Sequence, residues 1–171
     1  TGVNTLFAGL MHEPWFQAHQ RFTFKGTVAG GMALVPAVAE RWEAMTKTPI
    51  YQGYGLTETS PVVSLVPFHR NKRESIGTPV PGTDIRIVDA ELHDVAPGAP
   101  GELLVKGPQV MRGYWQRPDE TARVLRDGWL ATGDIATVDE DGYVYIVDRK
   151  KDMILVSGFN VYPNEGEAVL A

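Results

Sequence analysis

Tyr51-Gln52-Gly53-Tyr54-Gly55-Leu56-Thr57-Glu58-Thr59-Ser60-Pro61 is the stretch on which the reading of this chain turns. At Gly53 and Gly55 the backbone can bend and come close to a ligand, and Tyr54 between them offers a flat aromatic face. Thr57-Glu58-Thr59-Ser60 then supplies three hydroxyls and one carboxylate. That is the inventory of a nucleotide site. Hydroxyls and exposed backbone N–H groups hold phosphate oxygens, and a carboxylate beside phosphates suits Mg²⁺, which binds through one or two carboxylates plus phosphate oxygens. The same residue types also build a strand-to-helix turn in which Thr and Ser cap backbone donors, so the stretch alone leaves both readings open.

Upstream, the pattern is α/β. Asn4-Thr5 is placed to cap a helix with apolar residues Leu6, Leu10 and Met11, which Pro14 disturbs or restarts before Trp15-Phe16. Residues 22–29 alternate loosely into Gly30-Gly31 and predict a buried strand ending in a tight turn. Pro36 fits the first turn of a helix whose apolar face is Val35, Val38, Ala39, Trp42 and Met45. In open α/β sheets ligands bind outside the carboxyl ends of the strands, where both glycine turns fall.

Downstream of Pro61 short strands punctuated by Gly and Pro take over. Ile85-Arg86-Ile87-Val88 alternates, and Gly101-Glu102-Leu103-Leu104-Val105-Lys106-Gly107 is a bounded strand. Pro118-Asp119-Glu120-Thr121 opens a short helix with Asp119 or a neighbour as its cap, and Gly128 closes it. Residues 135–147 form a hairpin about Asp139-Glu140-Asp141-Gly142. These elements predict a distorted, mostly antiparallel sheet or barrel. Past the charged break Asp148-Arg149-Lys150-Lys151-Asp152, Pro163-Asn164-Glu165 opens a helix with no room to finish, so the chain is expected to be part of something longer.

At 171 residues and 43% hydrophobic composition the chain can build a core, and a globular, soluble protein is expected. No apolar run approaches the roughly 20 residues of a membrane-spanning helix, and no basic-then-apolar signal pattern opens the sequence. With no cysteine there is neither a disulfide framework nor a thiolate metal site. The net charge of −5 argues against nucleic-acid binding, and the basic runs Arg70-Asn71-Lys72-Arg73 and 149–151 read first as solvated surface. His12, His19, His69 and His93 fall in no triad or metal spacing.

Five stretches in one order carry a family resemblance: Gly30-Gly31, Tyr54-Gly55-Leu56-Thr57-Glu58, residues 101–107 with Gly113-Tyr114-Trp115, Trp129-Leu130-Ala131-Thr132-Gly133-Asp134, and Asp148-Arg149-Lys150-Lys151-Asp152. Together they resemble the adenylate-forming enzymes, the superfamily of acyl-CoA synthetases, peptide-synthetase adenylation domains and beetle luciferases. Residues 149–165 look most like bacterial long-chain fatty acid–CoA ligases. The implied fold is α/β followed by mostly antiparallel β, an internal fragment of such an enzyme. Residues 1–61 would end an α/β AMP-binding subdomain, 62–149 would form a β-barrel-like subdomain, and 150–171 would be the hinge and start of a small C-terminal domain.

The resemblance also implies a reaction and its residues. A fatty acid and Mg·ATP would give an acyl-adenylate, which coenzyme A would convert to the thioester. Thr57 would contact the phosphates and Glu58 would hold Mg²⁺. Tyr54 would lie against the adenine, with the backbones of Gly30, Gly31, Gln52, Gly53 and Gly55 lining the nucleotide. Asp134 would accept both ribose hydroxyls, a bidentate task suited to a carboxylate. Arg149 would donate to the ribose or α-phosphate, Lys151 would be the domain hinge, and Gly158 would let a loop pass the pantetheine arm. The family's Gly/Ser/Thr-rich phosphate loop and its C-terminal lysine are missing, so the chain by itself is expected to be inactive. Gly166 departs from the family's usual aliphatic residue. Further expectations are a cytoplasmic enzyme, peripheral association of the parent with the inner membrane face, and self-association through an apolar edge. Two other readings stand beside the first: an aryl- or medium-chain acyl-CoA ligase or peptide-synthetase adenylation domain, and a non-catalytic nucleotide-binding module.

Overall fold

The computed structural model describes residues 1–19, 21–152, 154–156, 159–161 and 163. Gly158, Asn164, Glu165 and Gly166, and with them the expected terminal helix, lie outside the described residues.

The first layer opens with α1 (Asn4–His12), and α2 (Pro14–Gln17) restarts at Pro14, whose fixed φ suits a first helical position. Strand β1 (Thr27–Ala29), helix α3 (Pro36–Thr46) and strand β2 (Ile50–Gly55) follow. The two strands run parallel, Thr27 opposite Ile50 and Ala29 opposite Gln52, with α3 as their crossover. Phe7, Met11 and Phe16 from the first two helices meet Ala39 and Trp42 of α3 and Ile50 of β2 in one core. Trp42 anchors it. Its ring lies 4.9 Å from that of Phe7, and its Nε1 donates to Thr27 Oγ1 at 3.1 Å, so the indole N–H is buried with a partner.

A short 3₁₀ turn, Thr57–Thr59, reverses the chain into β3 (Val62–Leu65), which pairs antiparallel with β2 and is followed by β4 (Thr78–Pro79). The first sheet therefore crosses Pro61 in the order β1-β2-β3-β4. The change of sequence grammar at Pro61 coincides with the change from parallel crossover to antiparallel pairing.

The second sheet holds β5 (Asp84–Val88), β6 (Gly101–Lys106), β7 (Leu125–Arg126), β8 (Trp129–Val138) and β9 (Val144–Arg149), with the short helix α4 (Pro118–Val124) leading into β7. Its order is β5-β6-β8-β7 with β9 on β8, all antiparallel, as the strand punctuation predicts. Register shifts at Glu102/Leu104 and Ile135/Ala136 bend the long strands. Val63 of β3 packs with Ile87, Leu103, Val105, Ala136 and Val144, so the two sheets share a core. Beyond them β10 (Ile154–Val156) and β11 (Phe159–Val161) pair antiparallel.

Four local expectations change. Gly128 does not close α4, which ends at Val124 and runs into β7; it sits in the turn between β7 and β8. Val3 and Arg117, not Asn4-Thr5 or Asp119, stand at the starts of α1 and α4, and neither cap makes a side-chain hydrogen bond. The strand expected over 22–29 keeps only its last three residues, because Phe22 instead packs on Phe16 at 4.7 Å and Phe24 on Trp42 at 5.7 Å. No helix among the described residues is long and apolar enough to cross a membrane.

Candidate functional site

The carboxyl end of β2, the middle of β8 and the carboxyl end of β9 border a cleft of about 700 Å³. Gly31, Gln52, Gly53, Tyr54, Gly55, Asp134 and Arg149 line it, so seven of the residues singled out from sequence are brought together. Asp134 lies inside β8, only 6% exposed, directly opposite Arg149 on β9. Its Oδ2 accepts a 2.5 Å hydrogen bond from Tyr54 Oη, and its Oδ1 is 3.5 Å from Arg149 Nε. A buried carboxylate must be paired and hydrogen-bonded, and here a phenol and a guanidinium do it. Burial, and then the hydrogen bond to Asp134, raises the Tyr54 phenol above its ordinary value, so the hydroxyl stays a donor. A carboxylate has about four lone-pair sites, so capacity remains for a ligand that brings two hydroxyl donors.

The glycines serve close approach. A Cβ on Gly30 would lie 3.2 Å from Gly53 O, and one on Gly55 would lie 1.9 Å from Pro61 O. Gly30, expected to line the nucleotide, packs on the Gly53 carbonyl without lining the cleft, whereas Gly31 lines it. Gly55 is required by the turn itself. Pro61 O also accepts Leu56 N at 3.0 Å and the Thr59 hydroxyl at 2.5 Å.

Within that turn the hydroxyls divide. Thr59 is fully buried, accepting from Leu56 N at 3.0 Å, which is the capping reading. Thr57 is exposed, and Glu58 is half-buried with Oε1 accepting from Tyr114 Oη at 2.8 Å. Neither lines the main cleft. They follow Leu56, which borders both it and a smaller cleft of about 460 Å³. Among the described residues no group of three or more metal-capable side chains occurs. The residues present thus fit Mg²⁺ in one manner, with Glu58 as a single carboxylate and phosphate oxygens completing the shell.

Lys151 lines the smaller cleft with Lys150, Thr132 and Gly133, and Asp134 and Arg149 border both. Lys150 is tied down, its Nζ 2.6 Å from Glu102 Oε2 on β6. Sequence reasoning missed Ile146 and Asp148, which also line the main cleft. They alternate on β9, a signal available once that strand is read. It read Arg73 only as part of a solvated basic run, and it missed Glu74 and Ile76, which no local pattern marks.

Solved structures share this fold. ATP-bound MatB from Rhodopseudomonas palustris matches with a TM-score of 0.84 at 33% identity, over 98% of this chain and 34% of that one. The anthranilate CoA ligase AuaEII, in complex with anthranoyl-AMP, matches with a TM-score of 0.85 at 30% identity, over 98% of this chain and 33% of that one. The fold is that of the adenylate-forming enzymes. Residues 1–115 match the family described as AMP-binding enzyme, and the chain belongs to that family. Among its curated relatives, the long-chain-fatty-acid–CoA ligase of Yersinia pestis is 59% identical over all of this chain and 31% of its own length. That of Bacillus subtilis is 46% identical over 99% of this chain and 30% of its own. The feruloyl-CoA synthase of an Amycolatopsis species is 42% identical over 97% and 34%. The chain spans about a third of the length of the curated relatives it matches.

Proposed function

We propose that the full-length protein containing this chain is an AMP-forming fatty acid–CoA ligase and that the chain supplies its nucleotide-facing wall. The observation that carries the reading is the buried Asp134 carboxylate, held by Tyr54 and Arg149 where the two clefts meet. In the first half-reaction a carboxylate oxygen of the acid attacks the α-phosphorus of ATP, the bond to pyrophosphate breaks, and an acyl-adenylate forms. In the second, the thiol of coenzyme A attacks the acyl carbon and AMP leaves, with the thiol proton passing to solvent.

No side chain of this chain becomes bonded to substrate on that path, so its contribution is positioning and charge. Asp134 accepts the ribose hydroxyls, the Tyr54 ring lies along the adenine, and the Gly31 and Gly53–Gly55 backbones admit the base closely. Thr57 donates to a phosphate oxygen, and Arg149 donates to the ribose or the α-phosphate. Glu58 is the residue that would hold Mg²⁺, whose chemistry there is neutralisation of phosphate charge. Lys151, at the smaller cleft, is the hinge between the two half-reactions. Relatives bearing the long-chain name reach 59% identity against 42% for the feruloyl-CoA synthase, which favours an aliphatic acid over an aromatic one.

The test uses the full-length protein with ATP, coenzyme A and acids of graded chain length beside ferulate, following pyrophosphate exchange and acyl-CoA by mass. Fatty acid-dependent exchange with AMP as product is expected. Asp134→Asn should raise the KM for ATP about 10- to 100-fold, since hydrogen bonds to a charged group contribute about 1.5–3 kcal/mol. Formation of ADP, or an unchanged KM in Asp134→Asn, overturns the assignment.

A further inference from the structure

The main cleft has two walls, residues 31–34 with the start of α3 on one side and residues 73–76 on the other, and β2 runs between them. From β2 one side chain reaches both. Gln52 Oε1 accepts the Leu34 N–H at 3.1 Å, while its Nε2 donates to Arg73 O at 2.5 Å and to Ser75 O at 3.4 Å. The partners fix which end of the amide faces which wall, because a backbone N–H needs an oxygen and two carbonyls need a donor. The base of this side chain is rigid. Gln52 pairs with Ala29 of β1 on one side, and its carbonyl accepts Val66 N at 2.8 Å on the other.

Each wall is also braced from outside. Asn4 Nδ2 donates to Ala33 O at 2.7 Å and its Oδ1 accepts Val35 N at 3.1 Å, so this residue holds a wall where a helix cap was expected. On the far side the basic run is not merely solvated. Lys72 pairs with Asp139 and Asp141 of the β8–β9 turn, Arg73 pairs with Glu43 of α3, and Ser75 Oγ donates to Lys72 O at 2.8 Å. Arg73–Glu43 also runs to α3, the helix whose start belongs to the opposite wall, and Gln52 joins the two walls through its amide from the strand between them.

We infer that Gln52 is a positioning residue for the nucleotide, its amide setting the width of the cleft by tying both walls to one strand. This rests on the nucleotide reading above. A primary amide alone carries the acceptor and the donors the task needs. Gln52→Glu keeps the acceptor for Leu34 and loses both donors, and Gln52→Met loses both functions at similar length.

In the full-length protein the KM for ATP should rise about tenfold in both variants, while kcat and the KM for coenzyme A stay within about threefold. Amide hydrogen exchange supplies a readout independent of turnover. Leu34 should be protected in the wild type, further protected by saturating AMP, still protected in Gln52→Glu and opened in Gln52→Met. Because a variant that fails to fold decides nothing, the wild-type measurement stands by itself: Leu34 exchanging like an open loop, or indifferent to AMP, overturns the tie. An unchanged KM for ATP in both folded variants does the same. Wild type that binds no AMP removes the nucleotide reading and this inference with it, whereas wild type that binds AMP beside unaffected variants removes only the tie.

Discussion

Replacing Tyr54 with phenylalanine deletes one oxygen and leaves the ring in the cleft. The loss falls on Asp134, whose side chain is 8% exposed and whose Oδ2 then has no phenol donor. Arg149 does not compensate, because its guanidinium lies 3.5 Å away on a side chain 60% exposed, and a solvated pair of that kind contributes about 1 kcal/mol at most. A hydrogen bond to a charged group contributes about 1.5–3 kcal/mol, so Tyr54→Phe should destabilise the fold by about 2 kcal/mol. For a chain of this size that lowers Tm by about 4–8 °C. The pH dependence has a definite sign. Burial first, and then Asp134, raises the folded-state pKa of Tyr54 above its ordinary value near 10.0. The phenol's contribution is therefore complete below about pH 10 and is lost as pH rises further, when the unfolded state ionises and the folded state does not. Thermal unfolding followed by circular dichroism from pH 7 to pH 11 should show a constant gap between wild type and Tyr54→Phe up to about pH 10 and a narrowing gap above it. A double-mutant cycle with Asp134→Ala should return a coupling of about 1 kcal/mol or more. An unchanged Tm at pH 7, a gap that widens in alkali, or strict additivity in the cycle refutes the pairing as the source of the stability.

Gly55→Ala should cost about 3 kcal/mol, because its Cβ would lie 1.9 Å from Pro61 O in a turn whose carbonyl is already bonded twice; a wild-type urea midpoint would contradict this. Lys72→Met should lower stability at neutral pH and lose that effect in acid. Burial alone would raise Asp139, but hydrogen bonds from Lys72, Tyr143, Tyr145 and Asp141 hold it at about 2, so its contribution is present above about pH 4 and lost as pH falls through 2. Acid titration of unfolding should therefore show the two proteins converging over that window, and parallel curves would dismiss the ion pair.

How much of this is legible in sequence depends on the distance over which each group acts. The β8–β9 hairpin is readable because Asp139-Glu140-Asp141-Gly142 separates two alternating runs, and α3 because Pro36 precedes an apolar helical face. Asn4, Gln52 and Lys72 are opaque because each acts at a distance, on Ala33 and Val35, on Leu34 and Ser75, and on Asp139 and Asp141. Local propensity offers Asn4 a cap and Lys72 a solvated surface, and tertiary partners override both. The opening stretch shows why its two readings could not be separated in one dimension. A Ser or Thr in a turn bonds the nearest backbone groups. Thr59 takes those groups, Leu56 N and Pro61 O, and its own hydroxyl is thereby consumed. With them occupied, Thr57 stays exposed and Glu58 meets Tyr114 from a distant loop, Tyr114 Oη donating to its carboxylate at 2.8 Å. The capped turn thus leaves outside the cap the side chains of Thr57 and Glu58, which the proposal assigns to phosphate and Mg²⁺, and the two functions fall to neighbouring residues that composition cannot tell apart.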